Sequence, residues 1–333
     1  MTQGIQLQDG AVAFALTLGA GMCTCIGAAV VFNHKLVKYA DNSFLAGSLS
    51  LSAGVMIYVS FIEIFQKSSA GFEDAGFSYG RSQLYATICF FCGIILGKSL
   101  DKLSHLVSGH DHEAGHEPID LNKLREQLER EETEAITAAS AVSNPVSAEG
   151  SKEGQEENDM EAAVEVSATL DEPKEEPAKD KRLVKMGMQT ALAIGIHNFP
   201  EGLATFVATL DDPRVGAGLA VAIAIHNIPE GLCVSVPIYY ATKDRWEAFK
   251  WAFVSGISEP IGAALGWLAL YRIMDDVAYG IVFGLVAGMM VNICVKELLP
   301  TAFKYDPEDK LVTNCFFLGM LGMSASLVLF LNI

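Results

Sequence analysis

Hydrophobic residues along the 333-residue chain are collected in long runs that short polar segments separate. Each run is about 20 residues long, which is the length an α-helix needs to cross the hydrocarbon core of a bilayer. A buried helix of a soluble protein is usually shorter and amphipathic. The pattern predicts eight membrane-spanning helices, at about 10–32, 43–65, 83–100, 186–210, 215–240, 247–271, 277–298 and 311–332.

One segment interrupts this pattern between the third and fourth runs. Residues 101–182 contain 22 Asp and Glu against 9 Lys and Arg, and so carry most of the net charge of −17. After Ser140 the segment is rich in Ser, Glu, Pro and Ala, which predicts disorder. We therefore expect an all-α polytopic membrane protein in three parts: helices one to three in 1–103, a long and largely disordered cytosolic loop in 104–182, and helices four to eight in 183–333.

Basic residues in the short loops predict the orientation of the chain, because Lys and Arg favour the cytosolic side. With the N-terminus outside, 13 Lys and Arg flank the cytosolic ends of the helices and four flank the outer ends. We therefore expect both termini on the extracellular or lumenal side, and the plasma membrane rather than an organelle membrane as the location. The first nine residues lack the basic region of a signal peptide.

The fourth and fifth runs contain the same polar motif, His-Asn-x-Pro-Glu-Gly, 29 residues apart. In a helix, His197 and Glu201 lie four positions apart and therefore on one face, as do His226 and Glu230. The proline of each copy removes a backbone hydrogen bond and loosens the helix beside the histidine. Irregular backbone at membrane depth is tolerated where it lines a protein-buried or hydrated cavity. The two copies therefore predict one polar site near the middle of the membrane.

Ionisable side chains in a membrane need partners, since a charge at the centre of a spanning helix costs roughly 2.5–3.5 kcal/mol. The imidazole, carboxylate and carboxamide groups of the motif suit zinc or another first-row divalent ion. Glu259 adds a third carboxylate in the sixth run, directly before a proline, so that three glutamates on three spans can hold two ions. The residues expected at the metal site are His197, Asn198, Glu201, His226, Asn227, Glu230 and Glu259.

Other polar residues are candidates for the route to and from this site. Met56 and Glu63 lie in the second run and Glu297 in the seventh, although Met56 is equally compatible with packing and Glu63 with facing the exterior. The acidic loop begins with histidines that alternate with carboxylates, which predicts a weak cytosolic metal-binding segment. A solvated tract that binds metal only incidentally is the alternative. These histidines are His105, His110, His112 and His116.

The motifs favour transport over catalysis. Neither copy has the His-Glu-x-x-His helix of zinc metalloproteases, and the chain has no nucleophile motif or Gly-rich phosphate loop. The expected partners are divalent metal ions and the lipid bilayer, with no nucleic acid. A membrane metal sensor or binding scaffold without translocation is the second hypothesis.

At these residues the sequence resembles the ZIP (Zrt/Irt-like protein) family of divalent-metal transporters, and within it the bacterial ZupT-like and GufA-like branches. The resemblance rests on HNFPEG and HNIPEG with SEP downstream, and it extends over all eight runs and the long loop. It implies a ZIP-like helix bundle that moves metal toward the cytosol and forms homodimers.

The resemblance also implies a binuclear metal centre between the fourth, fifth and sixth helices. Many relatives have Asp where this chain has Glu201, and the Glu form goes with broader metal use, so we expect zinc as the main transported substrate beside iron, manganese, cobalt and cadmium. The histidine that relatives often carry near the cytosolic end of the seventh helix is absent from this chain. By motif position, Glu201, His226 and Glu230 form one site beside His197, and Asn198, Glu201, Asn227, Glu230 and Glu259 form the second, with the glutamates bridging.

Overall fold

The chain is helical throughout the part that the computed structural model describes, which comprises residues 7–107, some of residues 122–137, 181–270 and 275–331. These residues form no β-strand, so the predicted all-α fold is confirmed. The helices are α1 (Leu7–Ala28), α2 (His34–Tyr39), α3 (Asn42–Val59), α4 (Phe65–Asp74), α5 (Tyr79–Val107), α6 (Lys181–Asp211), α7 (Pro213–Thr242), α8 (Arg245–Gly256), α9 (Ser258–Leu270), α10 (Asp276–Ile293), α11 (Leu299–Tyr305) and α12 (Val312–Leu331).

Six stretches of the described residues are long and apolar enough to cross a membrane, and they coincide with the first, second, third, fifth, seventh and eighth predicted spans. The fourth predicted span corresponds to α6, and the sixth is divided by a turn at Ile257 into α8 and α9. A polytopic membrane protein is thereby confirmed, while the number of eight spans stays a prediction. The six stretches are Gly10–Phe32, Asn42–Asp74, Tyr79–Lys102, Pro213–Thr242, Asp276–Tyr305 and Val312–Leu329.

Aspartates begin several helices that follow short connections. Asp41, Asp212, Asp244 and Asp275 each accept a hydrogen bond over 2.7–3.0 Å from a backbone N–H group in the first turn of the next helix. Pro213, whose φ suits the first helical position, directly follows Asp212. Because Asp212 alone separates α6 from α7, these two helices are antiparallel neighbours, and they bring the two motif copies together.

The helices pack in two groups. The first group consists of α1, α6, α7, α8 and α9, and its largest contacts join α1 to α7, α6 to α7 and α6 to α9. The second group consists of α3, α4, α5, α10, α11 and α12, and its largest contacts join α5 to α10 and α3 to α12. Smaller contacts connect the groups, mainly through α3 and α12 against α7, and through α5 and α10 against α6. Both motif copies therefore belong to the first group and border the second.

Glycines allow the closest helix pairs to touch backbone to backbone. In four pairs, each helix contributes a glycine at which an added Cβ would overlap a backbone carbonyl of the facing helix. Small residues at such positions are typical of helices that pack within a membrane. These glycine pairs are Gly27 with Gly231 (α1 and α7), Gly202 with Gly262 (α6 and α9), Gly93 with Gly288 (α5 and α10) and Gly54 with Gly319 (α3 and α12).

Two π-helical turns interrupt long helices of the second group. Ser60–Ile64 joins α3 to α4, and Cys294–Leu298 joins α10 to α11. Turns of this kind are rare and frequently occur at functional sites. In each turn the fourth residue is a glutamate, Glu63 in one and Glu297 in the other. Both are candidates that the sequence placed on the metal route.

The acidic loop lies mostly outside the described residues. Its described residues between 123 and 137 are helical and exposed. His110, His112 and His116 lie outside the described residues; His105 falls within α5, whose described helix continues to Val107, but its side chain is not described. The expected metal-binding segment and the three-part division of the chain stay predictions.

Candidate metal centre

His226 and Glu201 form the innermost contact of the site. His226 Nε2 lies 3.3 Å from Glu201 Oε2, and both side chains are 1% exposed. His226 Nδ1 lies 3.1 Å from the Ala222 carbonyl, which makes Nδ1 the donor and leaves Nε2 toward the carboxylate. In a neutral imidazole Nε2 carries a lone pair, so two acceptors would face each other. The contact is favourable only with a proton or a metal cation between them.

Asn227 and Glu259 form the second contact and bring in α1 and α9. The Asn227 side-chain amide donates to the Ala20 carbonyl over 2.9 Å and also to Glu259 Oε1. Asn227 and Glu259 are fully buried. Glu259 lies one residue after the start of α9, beside the turn at Ile257 that divides the sixth predicted span.

Three buried oxygens at these contacts have no hydrogen-bond partner among the described residues, namely Glu201 Oε1, Asn227 Oδ1 and Glu259 Oε2. All three are acceptors, and burying such a group without a partner is unfavourable by several kcal/mol for an ion. Carboxylate and amide oxygens are ligands of divalent cations. The donor set is therefore suited to a cation.

Asn198 and Glu230 complete the set of motif residues. When the Asn198 amide is oriented to satisfy both of its polar atoms, its nitrogen donates to the Ile194 carbonyl over 2.9 Å and to Glu230 Oε2 over 3.2 Å. Asn198 is fully buried and Glu230 is 2% exposed. The first copy of the motif thus contacts the second copy at two places, through Glu201 with His226 and through Asn198 with Glu230.

His197 makes its polar contact with the second group. Its Nε2 lies 3.4 Å from Oε1 of Glu297, which belongs to the π-helical turn after α10. A small cavity between α5, α6 and α10 lies beside His197, and Asp101 is among its lining residues. Lys296, next to Glu297, forms an ion pair with Asp101. His197 therefore lies at the rim of the site, where the site meets a cavity between the two groups.

Not all the residues expected at the site converge. In the described part of the chain, no group of three His, Cys, Asp or Glu side chains is arranged to hold a metal ion. The ligands meet in pairs, and small side-chain movements are needed to bring a third carboxylate to either pair. Met56 is buried within the bundle, and Glu63 is half-buried in its π-helical turn. Among the described residues, neither side chain forms a hydrogen bond with a motif residue.

The structure adds two supporting residues that the sequence analysis missed. Ala20 on α1 supplies the carbonyl for Asn227, and Ser52 on α3 donates to the His226 carbonyl over 3.3 Å. Pro229 lies in the same turn and removes the helical hydrogen bond to the Ile225 carbonyl, one residue before His226. The glycine-rich sequence of α1 is the only signal that could have indicated its close approach, since a backbone carbonyl has no sequence signature.

Comparison with known proteins gives matches over nearly the whole chain. A family model described as ZIP Zinc transporter matches residues 10–329 of the chain. A zinc transporter ZupT of Clostridium perfringens is 39% identical over 332 residues, covering 99% of this chain and 100% of that protein. Proteins of the same name from Oceanobacillus iheyensis and Nitratidesulfovibrio vulgaris are 40% and 41% identical, over 96% and 98% of this chain and 97% and 100% of their own lengths.

Proposed function

This chain belongs to the ZIP family of membrane transporters for divalent metal ions and is not an enzyme; on that premise, we propose that it carries Zn²⁺ through the buried site between its two motif copies. Zinc is the metal named for the similar proteins. The observation that carries the proposal is the pairing of His226 with Glu201 beside buried oxygens that have no hydrogen-bond partner in the described part of the chain.

Two neighbouring positions for metal follow from the two contacts. Glu201, His226 and Glu230 supply the nitrogen and oxygen ligands that zinc prefers, with His197 adjacent. Asn198, Asn227 and Glu259 supply further oxygens, so that Glu201 and Glu230 bridge to a second ion. Since the ligands meet in pairs, binding requires the Glu230 side chain to turn toward His226. That movement releases its contact with Asn198.

The two π-helical turns mark the proposed route on either side of the site. Glu63, with Met56 one to two turns before it, lies on the outer approach, and Glu297 receives the ion from His197 on the cytosolic side. The direction follows from the Lys and Arg distribution, which assigns the end with Asp101 and Lys296 to the cytosol. Transport toward the cytosol then ends at the cavity beside His197, with both termini on the outer side.

Iron, manganese, cobalt and cadmium are further substrates under this proposal. Glutamate and asparagine oxygens accept the harder of these ions, and the two histidines accept the softer ones. The similar proteins come from bacteria, which supports the plasma membrane as the location. The homodimer stays a prediction; Tyr79–Lys102 and Val312–Leu329 are the least buried of the six stretches and are thus available to lipid or to a second copy.

Radiolabelled zinc flux into proteoliposomes tests the proposed function. We expect saturable uptake that Glu230→Ala abolishes, whereas Glu308→Ala in the exposed turn before α12 leaves it unchanged. Normal uptake by the Glu230→Ala protein would contradict the assignment of the central site. Zinc binding without saturable flux in the unmodified chain would instead support the sensor or scaffold hypothesis.

A further inference from the structure

A second network of charged side chains lies at the opposite end of the bundle from Asp101 and Lys296. Lys67 Nζ on α4 lies 2.9 Å from Asp211 Oδ2 at the end of α6 and donates to Tyr279 Oη on α10 over 3.4 Å. Tyr279 Oη in turn donates to Asp211 Oδ2 over 3.0 Å. The Lys67 side chain is 15% exposed and that of Asp211 is 39% exposed. We call these three residues the Lys67 network.

The Lys67 network connects the two helix groups. Asp211 belongs to α6 in the first group, whereas Lys67 and Tyr279 belong to α4 and α10 in the second. The cavity beside His197 lies at the other end of the same helices, between α5, α6 and α10. The groups are thus held together at one end by the Lys67–Asp211 ion pair and the hydrogen bond from Tyr279 to Asp211, and they leave a cavity at the other end.

We propose that Lys67 is a positioning residue for transport, whose ammonium group holds the outer end of the metal route closed until an incoming cation displaces it from Asp211. The inference rests on the route and direction proposed above. The Lys67 ammonium group carries a single positive charge and pairs with the Asp211 carboxylate, which an arriving divalent ion would otherwise contact. The network must separate for the ion to pass between the groups, and it forms again once the ion has left.

The charges around the Lys67 network explain how a metal ion would open it. The Glu63 carboxyl group interacts electrostatically with Lys67 and Asp212. The Tyr279 hydroxyl group interacts electrostatically with the carboxyl groups of Asp211, Glu63 and Asp74. Lys67 is therefore a cation whose described neighbours are largely acidic. A hydrated divalent ion is attracted to the same carboxylates, with twice the charge of an ammonium group, and its arrival weakens the hold of Asp211 on Lys67.

Zinc flux in proteoliposomes tests this inference through Lys67→Met, which keeps the length of the side chain and removes its charge. We expect the apparent KM for zinc to fall, because the carboxylates become available, and Vmax to fall about fivefold, because the outer end closes less readily. Lys67→Arg should retain most of the activity. A purely structural role would lower the amount of folded protein with KM unchanged, and unchanged KM and Vmax would overturn the proposal.

Exchanging the charges of Lys67 and Asp211 distinguishes a specific ion pair between them from a general effect of charge on transport. Lys67→Asp and Asp211→Lys should each lower Vmax, and the double variant should recover it to within about twofold of the unmodified chain, because the ion pair is restored with reversed polarity. No recovery would overturn the pairing. Lys310→Met is the matched control, since Lys310 pairs at 2.7 Å with Glu308 in an exposed turn within one connection. If the unmodified chain itself shows no saturable flux, the proposed function fails independently of Lys67.

Discussion

The two copies of the motif have the same residues in the same order, yet they have different surroundings. His226 contacts Glu201 inside the first group, whereas His197 contacts Glu297 across the boundary to the second group. The difference follows from the direction of the helices. Because α6 and α7 are antiparallel, histidine precedes glutamate toward one end of the bundle in α7 and toward the other end in α6. The same order of His, Asn, Pro and Glu therefore supplies one histidine on each side of a shared pair of glutamates.

Replacing His226 by alanine should have the largest effect on this arrangement. The change removes the nitrogen that faces Glu201 and leaves that buried carboxylate without its partner, so we expect zinc uptake to fall at least about a hundredfold. Initial rates in proteoliposomes with equal amounts of folded protein measure it. The comparison between the copies would be wrong if His197→Ala and His226→Ala had equal effects.

The glycine that ends each motif copy should matter for stability rather than for chemistry. Gly231→Ala would push a Cβ into the Thr24 carbonyl of α1, and Gly202→Ala into the Glu259 carbonyl of α9. Both changes should destabilise the protein by about 1–3 kcal/mol, because the helices must move apart. Thermal unfolding in detergent measures this effect. Gly322→Ala on α12, where no atom lies within 4 Å of the added Cβ, is the control and should unfold like the unmodified chain.

Glu259→Gln should affect the second metal position more than the first. The amide keeps the size of the side chain and loses the charge opposite Asn227, so we expect zinc flux to fall about tenfold while zinc binding at His226 persists. Flux and equilibrium binding on the same sample distinguish the two effects. Loss of binding together with flux would mean that the two positions are not separable.

His197→Ala should slow release and leave binding almost unchanged. His197 lies at the rim and contacts Glu297 of the second group, so its loss should lower Vmax about fivefold with little change in KM. Uptake kinetics over a range of zinc concentrations measure both constants. A rise in KM without loss of Vmax would place His197 among the ligands of the central site instead.

Deleting residues 105–116 should have the smallest effect on transport, since this segment belongs to neither copy of the motif. We expect uptake within about twofold of the unmodified chain, and a weaker response to cytosolic metal if the loop histidines bind it. Uptake and membrane abundance are measured together. A complete loss of transport by correctly folded protein at the membrane would contradict a peripheral role.

Much of this architecture could be predicted from the sequence because its signals are long or repeated. Apolar runs of sufficient length predict membrane helices, and the spacing of His and Glu predicts a shared helical face. The two copies of the motif were expected to share one site because both place polar groups and a proline within an apolar run, and the single-residue connection at Asp212 holds their helices together. Likewise, Glu259 was expected as a third carboxylate from its position before a proline within an apolar run.

The remaining features depend on how distant helices meet, which no local pattern records. The π-helical turns at Glu63 and Glu297 have no residue signature, and the contact of Lys67 with Asp211 joins positions 144 residues apart. Similarly, the hydrogen bond from Asn227 to Ala20 uses a backbone carbonyl, which every residue has. The sequence therefore indicated the candidate ligands of the site but not which helix group each of them faces.

The two π-helical turns also have a genetic meaning. A π-helical turn results when one residue is added to an α-helix whose flanking segments stay packed in place, because the extra residue is accommodated by a wider turn. A single-codon insertion at the end of α3 or α10 is enough to create such a turn without disturbing the glycine pair that precedes it, at Gly54 in α3 and at Gly288 in α10. Removing one codon would return a regular helix with the flanking segments still packed in place, and would change the direction of the side chains within the turn. The orientation of Glu63 and Glu297 is thus sensitive to single-residue length changes that the rest of the bundle tolerates poorly.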